Sequence, residues 1–421
     1  MREDPANGAK PFEIPKQWVQ ESYQQVRSRK GSPGHDGQSI EDFEGDLRGN
    51  LYKLWNRMSS GSYMPPPVLF VSIPKPGGGQ RPLGIPTVAD RVAQTVVKRA
   101  LEPELERHFH ADSYGYRSGK SALDAVAVTR KRCWRYDWVV DLDIQAFFDS
   151  IDHDLLMRAV RHHTQERWIL LYIERWLKAD LILSDGTRWP RERGTPQGGV
   201  ISPLLANLFL HYVFDCWMDR NWPGVPFARY ADDAVCHCRS EAQARLLIET
   251  LEERFGECGL TLHPEKTRIV YCRDKNREAS YPDTSFDFLG YTFRGRPTRD
   301  WRGILFIGFN PAVSKKSLKA MNATVRGWCL HRRVRSTLET LADAINPVVR
   351  GWLHYYGQYN GAVLHRLFAQ LELRLARWVR WKYKRLRRSP RRSYEFLRGI
   401  RMAQPGLFVH WQALYTGRLA R

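Results

Sequence analysis

Phe227-Ala228-Arg229-Tyr230-Ala231-Asp232-Asp233-Ala234-Val235-Cys236-His237-Cys238 reads as two short strands around a tight turn that carries adjacent carboxylates. Such a turn projects both acids from the edge of a sheet. Upstream, Trp138–Ile144 alternates as a strand does. Val140, Leu142 and Ile144 share one face, and Val139, Asp141 and Asp143 share the other. Two carboxylates on one side of an apolar strand are costly unless solvated, paired or metal-bound. Either pair alone is equally well read as a polar turn or an exposed strand edge. Together they form an oxygen-rich cluster without a basic partner close in sequence, a donor set suited to Mg2+. Two such ions about 3.5–4 Å apart can activate a 3′-hydroxyl and stabilise a leaving pyrophosphate.

Working outward, Val68–Pro74 reads as a strand, Gly77-Gly78-Gly79 as a turn and Val88–Phe109 as a helix. A helix is expected from about Asp152, and Pro203–Trp217 is a strongly apolar one. Ala242–Cys258 is amphipathic, and Leu260–Tyr271 leads into another strand. Phe286–Phe309 reads as short strands broken by Gly295, Pro297 and Gly303. Residues 1–60 are polar and mostly helical, with a Gly- and Pro-rich loop at Lys30–Gly34 and a helical stripe from Phe43 to Met58. After Pro311 long helices dominate: 314–332, 335–359 and 362–387. The expected division is an N-terminal extension (1–60), an α+β body (61–305), a helical domain (306–385) and a short basic segment (386–421).

The charge is lopsided, with 66 Lys and Arg against 45 Asp and Glu, a net +21. That excess points to a polyanionic partner. No stretch is apolar and long enough for a membrane span, and Met1-Arg2-Glu3-Asp4 lacks a signal-peptide core, so nucleic acid is the expected partner and the cytoplasm the expected address. The 7 cysteines show no Cys-x-x-Cys spacing and read as reduced, mostly core thiols. Gly115–Ser121 imitates a phosphate loop but is one residue short between its glycines. His162-His163, with His108 and His110 far upstream, lack zinc-ligand spacing and read as surface or RNA-facing.

Taken in order, these blocks resemble the group II intron-encoded reverse transcriptase/maturase family. Tyr230-Ala231-Asp232-Asp233 resembles its signature, and Asp143–Asp149 its first catalytic-aspartate block. Gly194-Thr195-Pro196-Gln197-Gly198-Gly199 through Leu204-Leu205-Ala206-Asn207 resembles the block lining the nucleotide pocket. Pro74-Lys75-Pro76 through Arg81-Pro82-Leu83-Gly84 resembles the fingers motif. Ser113–Arg117, Gly259–Thr267 and Phe288-Leu289-Gly290-Tyr291 follow in the expected order. The resemblance runs from about residue 30 to 360. It implies an α+β right-hand polymerase, with fingers and palm around an antiparallel sheet, followed by an α-helical thumb/maturase domain. An endonuclease with paired cysteines is not found after it, so the resemblance is to the compact, endonuclease-free type.

The resemblance also implies roles. Asp143 and Asp232 would be the main ligands of two Mg2+ ions, assisted by Asp233 and with Ile144 beside them; Asp141 shares their face as an outer candidate. Phe148 falls where such polymerases place an aromatic steric gate against the ribose 2′-hydroxyl; its other reading is a core aromatic next to Phe147. Lys75, Arg81, Gln197 and Lys266 would contact the dNTP, although the cations read equally as solvated surface. The partners implied are group II intron RNA, an RNA template, a DNA primer, a DNA target and dNTPs. The setting implied is the bacterial cytoplasm, associated with the nucleoid during integration.

Downstream, Arg374, Arg377, Arg380, Lys382, Lys384, Arg385, Arg387, Arg388, Arg391 and Arg392 form a dense basic run opposed only by Glu395. Trp378, Trp381, Tyr383 and Tyr394 interleave. Cations neutralise phosphates and aromatic faces stack on unpaired bases, so the aromatics are expected partly inward and the arginines mostly toward nucleic acid. Two further readings stay open: the same polymerase recruited to DNA repair or phage defence, and an RNA-binding splicing factor with a vestigial polymerase site.

Overall fold

Short helices precede the first strand in the computed structural model, which describes residues 10–74, 79–300 and 302–415. They are α1 (Lys16–Arg29), α2 (Ile40–Glu44) and α3 (Leu47–Ser59). The stripe expected from Phe43 to Met58 divides because Asp46 caps a new helix, its side chain accepting from the Gly49 amide at 3.1 Å. β1 (Val68–Pro74) then pairs antiparallel with β2 (Gln80–Ile85), Leu69 opposite Ile85 and Pro74 opposite Gln80. The chain continues through α4 (Val88–His108), α5 (Ala122–Cys133), β3 (Trp138–Leu142), α6 (Phe147–Ser150), α7 (His153–His163) and α8 (Arg167–Leu177). β4 (Leu181–Ile182) and β5 (Arg188–Trp189) extend the first sheet to the order β2-β1-β4-β5.

The apolar run expected as one helix is α9 (Ser202–Leu210), a π-helical turn at His211–Asp215 and α10 (Cys216–Asn221). A π turn widens the helix by one residue and re-aims the side chains beyond it. Here it buries Asp215 while leaving Tyr212 half-exposed. β6 (Phe227–Tyr230) and β7 (Asp233–Cys238) form the expected hairpin, followed by α11 (Glu241–Glu257) and β8 (Arg268–Tyr271). Strand order in this second sheet is β6-β7-β3-β8. α9 is buried at every residue but Pro203, and α8 buries Trp168, Ile169, Tyr172, Ile173, Trp176 and Leu177 from one helical face.

The chain divides into two compact units. One holds the residues up to Ala125 together with Val140–Arg268, the other Val126–Val139 with the residues from Ile269 onward. In the second unit, β9 (Ser285–Phe288), β10 (Tyr291–Arg299) and β11 (Leu305–Val313) form an antiparallel sheet in the order β11-β10-β9. Gly295 and Pro297, expected to break strands, lie inside β10. Pairing with β9 ends at Arg294, so from Gly295 onward β10 needs partners only on the β11 side and tolerates an imino residue on the other.

Helices follow: α12 (Lys315–Gly327), α13 (Leu338–Tyr356), α14 (Ala362–Lys382), α15 (Pro390–Ala403) and α16 (Val409–Tyr415). Their core draws Leu341, Ile345 and Val349 from α13 and Leu364, Phe368, Leu371, Leu375 and Trp378 from α14. That spacing is the apolar stripe of a packed helix. The α+β body with antiparallel sheets, followed by a helical domain, is the architecture the sequence implied. Among the described residues, no helix is long and apolar enough to cross a membrane.

Candidate active site

The alternation read in β3 holds. Val139, Val140 and Leu142 are buried, and Asp141 and Asp143 are half-buried. Past Leu142 the backbone stays extended: the Asp143 carbonyl accepts from the His263 amide at 2.8 Å, and Ile144 bridges to Leu262. The loop after α11 thereby brings Lys266 alongside, and its Nζ lies 2.7 Å from Asp143 Oδ2. Asp141 faces the Arg268 guanidinium at 3.3 Å. Burial pushes the Asp141 carboxyl up to about 7 despite that cation, and Asp233 and Asp143 add to the rise. Burial likewise raises Asp232, which the neighbouring Asp143 pushes further.

Asp232 and Asp233 follow Ala231, whose φ of +57° is unusual for a residue with a Cβ. Two features hold that backbone. A Cβ at Gly115 would meet the Ala231 nitrogen at 2.4 Å, so only glycine lets the loop before α5 come so close. From beneath, Arg229, 1% exposed, donates to the Ala231 carbonyl at 3.0 Å and to Asn207 Oδ1 at 3.1 Å. Its fork is closed by Asp215, 0% exposed, at 2.7 Å and 2.5 Å. Burial works to raise Asp215, but Arg229 and His211 hold its carboxyl below the ordinary value.

On the nucleotide-block side, Phe147 is buried and Phe148 half-exposed, their rings edge to face at 5.4 Å. Phe147, not Phe148, thus occupies the core position. Arg81 on β2 donates to Gln197 Oε1 at 3.3 Å, and the Gly84 amide donates to the Gln197 carbonyl at 2.7 Å. The left-handed Gly198 (φ +122°) makes this possible, since a Cβ there would lie 2.4 Å from the Gly84 carbonyl. Lys75 lies outside the described residues.

The next residues of that loop hang on a buried side chain. Gln94 Oε1 accepts from the amides of Val200 at 2.7 Å and Ile201 at 3.4 Å. Gln94 itself donates to Asp90, which also accepts from Tyr63 and Trp176, both at 2.7 Å. Sequence reading missed both polar networks, although Arg229 and Asp215 each interrupt an apolar run, the available signal for a buried pair.

The structure therefore brings Asp141, Asp143, Asp232, Asp233 and Lys266 to one end of the second sheet, and Arg81 and Gln197 to each other. Hard carboxylate oxygens at adjacent strand ends, with Asp141 and Asp232 raised by burial and by acidic neighbours, are a donor set that fits a divalent cation of the Mg2+ type. As the side chains stand, no group of three His, Cys, Asp or Glu among the described residues closes around one point, and the Lys266 ammonium supplies charge to Asp143.

The basic run is in the second unit. Arg377, Lys384, Arg385, Arg387, Arg388, Arg391 and Arg392 are exposed, and Arg374 and Arg380 are half-buried. Lys382 instead donates to the carbonyls of Ser336 at 2.5 Å and Val334 at 3.3 Å, and Arg391 pairs with Glu395 at 2.9 Å. Trp378 is buried, whereas Trp381 is 60% exposed, so the aromatics divide between core and surface. The cysteines are all free thiols, five of them buried.

Comparison with known proteins agrees with this architecture. Residues 73–293 match the reverse transcriptase (RNA-dependent DNA polymerase) family, and residues 318–394 match the group II intron, maturase-specific domain. Protein YkfC of Escherichia coli is 32% identical over 314 residues, covering 65% of this chain and 80% of that protein. The group II intron-encoded protein LtrA of Lactococcus lactis is 32% identical over 252 residues, covering 55% of this chain and 41% of LtrA. The putative COX1/OXI3 intron 1 protein of Saccharomyces cerevisiae is 23% identical over 412 residues, 85% of this chain and 45% of that protein. The chain thus spans less than half the length of the last two. Signature turn, nucleotide block, helical domain and both family matches agree, and the chain belongs to the reverse transcriptase family, in the group II intron-encoded branch that carries a maturase-specific domain.

Proposed function

We propose that this protein copies RNA into DNA from dNTPs, with Asp143, Asp232 and Asp233 holding two Mg2+ ions and Ile144 beside them. The observation that carries the reading is the meeting of Asp143 with Asp232 and Asp233 at one sheet end, where burial and mutual repulsion favour bound cations. Bound Mg2+ would supply activation of the primer 3′-hydroxyl and charge neutralisation on the leaving pyrophosphate. The chain's own groups prepare the site. Arg229 and Gly115 fix the turn that presents Asp232. Lys266 supplies positive charge beside Asp143 and is placed to pass it to the incoming phosphates. Arg81 and Gln197 grip the nucleotide, a role the family resemblance also gives to Lys75. Phe148 presents a half-exposed ring against the ribose, so a 2′-hydroxyl is refused by contact.

The helical domain and its exposed arginines are the proposed contact for the chain's own intron RNA, in support of splicing and of retrohoming into a DNA target. This reading takes residues 61–305 as fingers and palm, 306–385 as thumb and maturase, and 386–421 as a nucleic-acid-binding segment. Primer extension on an RNA template with magnesium tests the polymerase. Wild type should extend with dNTPs and poorly with rNTPs, and Asp232→Asn should lose extension while keeping its fold and RNA affinity. A folded, RNA-binding wild type that extends nothing would move the weight to a splicing factor without polymerase activity.

A further inference from the structure

A concave groove of about 620 Å³ lies in the first unit among helices that take no part in the carboxylate cluster. One wall is a stripe of α7 that includes Leu155, Arg158, Ala159 and His162. The facing wall runs through Phe209, Tyr212, Val213, Cys216, Trp217 and Arg220, one continuous line from α9 across the π turn into α10. The end of α11 closes it with Arg254, Glu257 and Cys258. The volume is within the ~300–1,000 Å³ typical of ligand sites.

Two features set this groove apart from an ordinary gap between helices. The first is charge. Arg254 is occupied, donating to Glu257 at 3.2 Å and to the π-turn carbonyls of Val213 at 3.3 Å and Tyr212 at 3.4 Å. Arg158, Arg161 and Arg220 are exposed on the rim, and none makes a salt bridge among the described residues. The one lining carboxylate, Glu257, is already taken by Arg254. The second is the floor. Phe209 and Val213 are buried beneath it, and Tyr212 and Trp217 present half-exposed rings. Tyr212 is held in place from behind, its hydroxyl 2.7 Å from His163 Nε2. The π turn makes this arrangement possible: it aims Asp215 inward to Arg229 and keeps Tyr212 and Cys216 on the groove side.

We propose that this groove is a second nucleic-acid site, which takes an unpaired nucleotide of single-stranded RNA, its base against Tyr212 and Trp217 and its phosphates on Arg158, Arg161 and Arg220. Aromatic faces beside unpaired guanidinium groups are the chemistry that captures single-stranded bases. A duplex keeps its bases stacked away from such a floor, so an unpaired strand is the occupant that fits. The proposal rests on the reading of the chain as an enzyme that handles RNA. It adds a contact separate from the polymerase site and from the basic helices of the second unit.

The test is photo-crosslinking of the full chain to a single-stranded oligoribonucleotide carrying 4-thiouridine, with the attachment sites mapped by mass spectrometry. Crosslinks are expected in the peptide spanning Tyr212 and Trp217. They should disappear in the Arg158→Glu/Arg220→Glu variant, whose changes are on the exposed rim, while extension of a short preformed primer–template stays unchanged. Losing two phosphate contacts should also reduce the slope of log affinity against log salt by about 1.4. Trp217→Ala, checked for folding by its melting temperature, should weaken binding of the oligonucleotide about fivefold or more. Absence of crosslinks at this peptide in an extension-active wild type, or their persistence in the double variant, would overturn the site. Equal competition by AMP would overturn the strand as occupant, and equal competition by polyglutamate would overturn base recognition. Failure of wild-type extension would strike the polymerase reading instead, so the two failures are distinguishable.

Discussion

Arg229 and Asp215 offer a way to separate what holds the fold from what holds the turn that carries Asp232 and Asp233. Arg229→Met alone leaves the Asp215 carboxylate buried opposite nothing but His211, 3.7 Å away. Removing one partner of a buried pair costs about 3–5 kcal/mol, against a whole-domain stability of about 5–15 kcal/mol. The single variant should therefore be poorly folded and uninformative about catalysis. Arg229→Met with Asp215→Leu removes both charges and fills the space, an exchange that is often neutral or stabilising. Near pH 10, where His211 has lost the contribution it draws from Asp215, its melting temperature should stay within a few degrees of wild type. Yet the Ala231 carbonyl and Asn207 Oδ1 still lose the donors that Arg229 supplied at 3.0 Å and 3.1 Å. The left-handed Ala231 stores about 1–3 kcal/mol of backbone strain that surrounding contacts must hold. If about 1.4–2.8 kcal/mol of that restraint reaches the transition state, kcat falls ten- to a hundredfold. Single-turnover primer extension at saturating dNTP, with a magnesium titration, reads this directly. A double variant that is both stable and fully active at wild-type magnesium would refute the reasoning and leave the pair a packing feature.

Four other outcomes are expected. Phe148→Val should raise rNTP incorporation relative to dNTP about tenfold or more with little change in melting temperature, measured in competitive extension, because the ring is half-exposed and Phe147 carries the packing. Gln94→Ala removes the acceptor for the Val200 and Ile201 amides; an unsatisfied buried donor costs about 1–3 kcal/mol, and the dNTP KM should rise several-fold with a smaller change in kcat. Burial works to lower His211, but Asp215 and Cys216 override it and raise the imidazole to about 9. A group raised on folding stabilises fully below its unfolded value near 6.5 and loses that contribution as pH climbs through about 9, so chemical denaturation should show roughly 3 kcal/mol at most lost between pH 6 and 10, and His211→Asn should flatten the profile. Arg377→Glu with Arg388→Glu should lower intron RNA affinity and its salt dependence while short-template extension persists, which a filter-binding series checks.

How much of this was readable beforehand depends on what kind of pattern each feature leaves. Asp141 and Asp143 stand out because β3 is otherwise apolar, and alternation alone assigns them to one face. The hairpin turn at Ala231-Asp232-Asp233 is legible for the same reason: two apolar strands force whatever lies between them to the edge. Pro297 misled, because its effect depends on how far β9 extends beside β10, and a tertiary length leaves no local mark. The π turn is equally silent, since His211–Asp215 differs from its flanking helices only in one residue of phase.

Arg229, Asp215, Gln94 and Asp90 show the deeper limit. Arg229 and Asp215 interrupt apolar runs and are conspicuous singly, whereas Asp90 and Gln94 sit beside Arg91 and Thr95 on an ordinary helix, and for all four the meaning is the partner. Arg229 finds Asp215 across 14 positions, and Gln94 finds Val200 across 106. The carboxylates of the proposed reaction centre need solvent or cations, so they surface in the pattern as exceptions to hydrophobicity. The groups that aim them need each other, and folding hides them in pairs. A chain of this kind therefore displays its chemistry in its sequence and keeps its positioning machinery for the structure. That division is why the double replacement at Arg229 and Asp215, rather than any change at the aspartates themselves, is the informative perturbation.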